Sequence, residues 1–122
     1  MRLLLYGTMT PAVADALKRH GHTAVLPAEI ELPEAATPQQ VVEAAKAKQL
    51  DVLTTEASLI AAVFDLDLYL FRSMIYLQLG GGDVEQDDAI DRLFARYARL
   101  APDRLYTVTE SRVKVRQLPS RK

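Results

Sequence analysis

Met1-Arg2-Leu3-Leu4-Leu5-Tyr6-Gly7-Thr8-Met9-Thr10-Pro11 reads as a strand that runs straight into a helix, and this junction decides the fold. Leu3, Leu4 and Leu5 form a short unbroken apolar run, the pattern of a strand buried on both faces and so of one in the middle of a sheet. The run stops at Tyr6-Gly7. Thr10 is a suitable N-cap, and Pro11 a first helical residue that loses nothing by lacking an N–H. In an open α/β sheet, ligands and catalytic groups lie just beyond the carboxyl ends of the central strands. Here those positions are Tyr6, Gly7 and Thr8, none of which carries a charge or serves as an acid or base near neutral pH.

Outward from this junction the chain alternates between strand and helix patterns. A helix over Thr10 to His20 buries Val13, Ala16 and Leu17, and Gly21 ends it. Thr23 to Leu26 is a short strand, and Pro27 to Ala36 a loop. Thr37-Pro38-Gln39-Gln40 is a capping box that opens a second helix reaching Lys48. Asp51 to Thr54 is a third strand, and Glu56 to Val63 a short apolar helix. Phe64 to Phe71 alternates apolar and polar residues and reads as loop or irregular helix. Ser73 to Leu79 is a fourth strand, closed by Gly80-Gly81-Gly82. An amphipathic helix follows over Val84 to Leu100. Leu105 to Thr109 and Arg112 to Leu118 form a closing hairpin whose Glu110-Ser111 turn lacks the preferred glycine or asparagine. The pattern predicts one three-layer α/β domain over residues 1–118: a mostly parallel sheet, right-handed crossovers, helices on both faces and a C-terminal antiparallel pair. Residues 119–122 read as a frayed tail.

Composition narrows the function classes. With 122 residues the chain is long enough for one unstapled core. Its 15 basic and 16 acidic side chains set up no global field toward nucleic acid or membrane. The absence of cysteine excludes disulfides and thiolate zinc sites and fits a reducing, cytoplasmic setting. No signal peptide is legible, and the longest apolar segment, Leu59 to Phe71, is interrupted by Asp65 and Asp67, so a membrane span is not expected.

The order of motifs resembles the small stand-alone bacterial PIN-like domains, relatives of the PIN ribonucleases of toxin–antitoxin pairs. Those domains open Leu-Leu-Asp-Glu-Asn-Leu-Ser-Pro, where this chain has Leu4-Leu5-Tyr6-Gly7-Thr8-Met9-Thr10-Pro11. Their first helix ends Arg-Gly-His, matched by His20-Gly21-His22, and a capped helix beginning Ser-Asp-Glu-Glu is matched by Thr37-Pro38-Gln39-Gln40. Their third strand ends Leu-Val-Thr-Asn-Asp-Lys-Asp-Phe, set against Val52-Leu53-Thr54-Thr55-Glu56-Ala57-Ser58-Leu59. A final strand pair rich in valine and arginine is matched by Val113-Lys114-Val115-Arg116-Gln117-Leu118-Pro119. The resemblance covers nearly the whole chain.

It implies a carboxylate cluster at the carboxyl edge that holds Mg²⁺ or Mn²⁺ for phosphodiester hydrolysis. Carried over residue by residue, the first aspartate is Tyr6, the acidic pair is Pro38 to Gln40, and the later aspartates are Glu56 and Ser58, so only Glu56 keeps a carboxylate. A hard divalent cation gives up its water reluctantly and needs more than one anionic oxygen in return. The expectation is therefore a PIN-like domain without resident metal that acts as a binding or interaction module. The alternative is a divergent Mg²⁺- or Mn²⁺-dependent ribonuclease that combines Glu56 with Asp65, Asp67 or Glu43.

Other groups weigh less. A carboxylate in a helix's first turn, like that of Glu56, is also what the helix dipole favours. Gly80-Gly81-Gly82 resembles a phosphate cradle, but Asp83, Glu85, Asp87 and Asp88 crowd the same helix start and repel anions. Histidines flanking Gly21 ordinarily bond the last carbonyls of a helix. Arg112, Lys114 and Arg116 make a basic stripe, with Arg121 and Lys122 beyond, that could follow RNA phosphates or simply guard an edge strand. Leu66, Leu68, Tyr69, Leu70 and Phe71 are more apolar than a connector needs and point to a homodimer or protein partner.

Overall fold

The computed structural model describes residues 1–120, so Arg121, Lys122 and the outer half of the expected tail lie outside the described residues. Along the chain come β1 (Arg2–Tyr6), α1 (Pro11–Arg19), β2 (Thr23–Val25), a 3-10 turn (Pro27–Ile30), α2 (Pro38–Lys48), β3 (Asp51–Thr54), α3 (Ala57–Asp65), β4 (Met74–Leu77), α4 (Asp83–Arg96), β5 (Arg104–Val108) and β6 (Val113–Gln117). The six strands form one sheet in the order β2-β1-β3-β4-β5-β6, parallel throughout except for the antiparallel pair β5-β6.

β1 lies inside the sheet between β2 and β3, as its apolar run predicts. Leu3 and Leu5 face a core built with α1 and α4, while Leu4 faces a second core built with α2 and α3. Strand alternation thus sends successive leucines of one run into opposite layers, and full burial stabilises by roughly 2 kcal/mol per side chain. Both expected helix starts are built as their sequences require. The Thr10 hydroxyl accepts the Ala12 N–H at 3.3 Å. The Thr37 hydroxyl accepts the Gln40 N–H at 3.2 Å, and the Gln40 side chain accepts the Thr37 N–H at 2.8 Å.

The crossovers depart from expectation at one place. The β3-α3-β4 and β4-α4-β5 connections step across the sheet in the same direction, yet α3 and α4 lie on opposite faces. The α4 connection therefore has the opposite hand to the other three, against the strong right-handed preference of such units. Its packing against α1 holds it there: Val13, Ala16 and Leu17 share one buried cluster with Ala89, Ile90, Leu93 and Phe94. At the rim, Arg19 pairs with Asp87 at 2.6 Å and Asp91 at 3.0 Å, and His20 Nε2 meets Asp91 at 2.7 Å. His20 and His22 both lie against the Phe94 ring, so the histidines serve the α1–α4 contact rather than the last carbonyls of α1.

The stretch that alternates like a strand is resolved by burial. α3 continues to Asp65, and the loop after it sends Leu70 into the α2/α3 core at 2% exposure. Leu70 is thus a core residue and not part of an outer contact surface. The final hairpin closes without glycine because Thr109 substitutes for it: its N–H donates to the Arg112 carbonyl at 2.9 Å and its hydroxyl accepts the Arg112 N–H at 3.2 Å.

His22 gives a pH signature. Burial first, then the positive Met1 amine and His20, push its pKa below the ordinary value of 6.5. The folded state then binds fewer protons than the unfolded chain below that value, so stability is lost as pH falls through it. In urea unfolding, His22→Gln is expected to lose less stability than wild type between about pH 7 and about pH 5. Equal losses would contradict this reading of His22.

Candidate functional site

The strand order places a switch point between β1 and β3, because the chain leaves β1 for one side of the sheet and returns to β3 on the other. The carboxyl ends meet there with Tyr6 opposite Thr54. Gly7 turns the chain with φ at 119°, and a Cβ on it would lie 2.5 Å from Thr55 Oγ1 and 3.0 Å from Glu56 Cγ. The Thr55 hydroxyl donates to the Thr8 carbonyl at 3.2 Å, and the Thr54 hydroxyl accepts the Glu56 N–H at 2.9 Å. Neutral groups thus tie the two strand ends together across a narrow gap.

Tyr6 stands where the resemblance places the first aspartate. Its side chain packs on the α2/α3 core, and its hydroxyl donates to the Ala36 carbonyl at 3.2 Å. It holds down the loop before α2 and is not an open contact surface. Tyr6→Phe keeps the ring and removes the hydrogen bond, so a loss of about 1 kcal/mol is expected in urea unfolding. No measurable change would show that the bond to Ala36 contributes nothing.

The acidic residues are dispersed. Glu56 is the half-buried N-cap of α3, Ser58 is exposed in the first turn, and the residues matching the acidic pair, Pro38 to Gln40, open α2. Asp65 and Asp67 lie at the far end of α3, which runs back along the sheet for nine residues, about 13 Å. They sit toward the amino edge and not beside Glu56, correcting the expectation that they reach the same edge. Glu43 is exposed within α2 and pairs with Lys46 at 3.1 Å. Among the described residues, no group of three His, Cys, Asp or Glu side chains is placed to hold a metal ion.

Two side chains that sequence reading passed over do reach this edge. Glu34, from the loop after the 3-10 turn, lines a cavity of about 230 Å³ together with Tyr6, Gly7, Pro33 and Glu56. Nothing in a polar loop singles it out. Gln86 is 7% exposed, and its carbonyl accepts the Thr10 N–H at 3.0 Å and hydroxyl at 3.2 Å. It also lines a cavity of about 180 Å³ with Thr8, Thr55, Tyr76 and Gln78. Its signal was its neutrality: it interrupts an acidic run between Glu85 and Asp87.

The start of α4 is already satisfied. Glu85 folds over Gly81 and accepts the Gly82 N–H at 2.8 Å, so an internal carboxylate stands where a phosphate would bind. In the edge strand β6, Lys114 and Arg116 are exposed on one face, and the Arg116 guanidinium lies 3.8 Å from the Phe64 ring centroid. Arg112 is exposed in the turn before it. Of the apolar residues expected to meet a partner, Leu66 is 53% and Phe71 45% exposed, whereas Leu68 and Tyr69 are half-buried.

No protein-family model matches the chain, and no curated protein or solved structure matches it. No helix among the described residues is long and apolar enough to cross a membrane.

Proposed function

We propose that the chain is a PIN-like domain that works as a binding or interaction module in the cytoplasm, its carboxyl edge no longer built for metal-dependent phosphodiester hydrolysis. The observation that carries this reading is the Tyr6 hydroxyl bonded to the Ala36 carbonyl, a structural contact where a nuclease needs a cation-binding carboxylate. The separation of Asp65 and Asp67 from Glu56 by the length of α3 supports it further. The partner surface is centred on Leu66, which is exposed beside half-buried Leu68 and Tyr69, and a second copy or another protein would cover it.

A second reading, a divergent ribonuclease using Mg²⁺ or Mn²⁺, draws on Glu34 and Glu56 sharing one cavity. The two readings separate in a cleavage assay of single-stranded RNA with Mn²⁺, using wild type and Glu56→Gln. The module predicts no cleavage above background in either protein. Cleavage that requires Mn²⁺ and disappears in Glu56→Gln would establish the nuclease.

A further inference from the structure

We propose that the amino edge of the sheet carries a binding site for a small organic anion with a flat apolar body, held by Arg72 and Arg99 against Phe71. Ligand sites of parallel α/β sheets lie at the carboxyl edge, so a cavity of about 540 Å³ at the opposite edge has no explanation in the general architecture. Its volume falls within the roughly 300–1,000 Å³ usual for small-molecule sites. The loops leading into β2, β3, β4 and β5 converge there and bring His22, Asp51, Arg72 and Arg99 together. Phe71, Leu100 and Pro102 supply apolar wall.

Charge selects the ligand. Two guanidiniums and the Met1 ammonium, which stands 3.1 Å from His22 Nδ1, line the cavity with one carboxylate, and that carboxylate is committed: Asp51 Oδ1 accepts both the N–H and the hydroxyl of Ser73 at 2.9 Å. Arg72 is only partly satisfied. Its Nη2 stands 3.5 Å from Asp51 Oδ2, beyond a normal hydrogen bond, and its side chain is 41% exposed, so the guanidinium has donor capacity open to a ligand. Arg99 is exposed and forms no ion pair among the described residues. His22 adds little positive charge near neutral pH, because its burial disfavours the protonated form. The lining therefore has an excess of cationic donors, which a single carboxylate or sulfonate would meet.

Local backbone strain points the same way. Phe71 adopts a φ of 67°, which bulky residues rarely take, and Lys46 Nζ lies 5.3 Å from its ring centroid. The Arg72 carbonyl accepts the Asp103 N–H at 3.2 Å, with Asp103 itself at a φ of 60°. A strained aromatic next to an under-used arginine is the arrangement expected where the fold holds side chains ready for a ligand.

The test is a nitrogen-15 amide titration of the full chain with 2-naphthoate, repeated with neutral 2-naphthalenemethanol. Saturable shifts centred on Phe71, Arg72 and Arg99 are expected, with the alcohol weaker by about tenfold or more. Arg99→Gln, an exposed substitution that leaves Asp51 paired, is expected to weaken 2-naphthoate by about tenfold. Arg72→Gln, if it folds, should do the same. The proposal is overturned if no saturable shift appears, if the alcohol binds as well as the acid, if Arg99→Gln leaves the affinity unchanged, or if the shifts gather at Tyr6 and Glu56.

Discussion

Asp51→Ala is expected to lower the unfolding free energy by about 3 kcal/mol, a large share of a domain's stability. Asp51 is 6% exposed at the start of β3, and its carboxylate joins that strand to the approach of β4 through both donors of Ser73. Removing it leaves a buried N–H and a buried hydroxyl without an acceptor, and unmet buried donors cost more than the bonds contribute when made. Arg72 loses its counter-ion too, but its partial exposure lets water replace much of that pairing. Asp51→Asn keeps a carbonyl oxygen for Ser73 and should cost about half as much, since its amide cannot pair with Arg72. Urea unfolding at neutral pH decides the matter. A loss under about 1 kcal/mol for Asp51→Ala would mean that Ser73 finds another acceptor and that this edge is not organised around Asp51.

Gly7→Ala is expected to cost about 3 kcal/mol, while Gly21→Ala costs about 1. Both glycines have positive φ, 119° and 80°, so both substitutions force an L residue into a disfavoured conformation. Only at Gly7 does the new Cβ also run into Thr55 and Glu56, whereas at Gly21 it meets nothing within 4 Å. The difference between the two variants therefore isolates the closeness of the β1 and β3 ends. Equal losses would show that the gap is wide enough for a side chain, and with it for a ligand or metal.

Much of the architecture was legible because local chemistry and burial agreed. Leu3 to Leu5 announced a strand buried on both faces, and Thr10-Pro11 and Thr37 to Gln40 announced helix starts, all by mechanisms that act within a few residues. The failures involve partners distant in sequence. Alternation from Phe64 to Phe71 mimicked a strand because Leu70 turns inward while Leu66 and Phe71 stay outside, a choice made by the α2/α3 core. The reversed hand of the α4 connection goes with the buried face of α4 meeting that of α1 in one core, a pairing about which no local pattern speaks. At the site, the neutral identities of Tyr6 and Ser58 were readable, but the Tyr6 contact with Ala36 was not. Asp65 and Asp67 are near Glu56 in sequence but not in space, because α3 carries the chain away from its N-cap over nine residues.

The proposal that the carboxyl edge, where neutral contacts tie β1 to β3, holds no divalent cation is tested most directly by calorimetric titration of the wild-type chain with Mn²⁺, with Glu56→Gln beside it. No saturable heat is expected in either protein, with an unfolding midpoint that does not move with Mn²⁺. One saturable Mn²⁺ site in wild type, abolished in Glu56→Gln, would contradict the proposal.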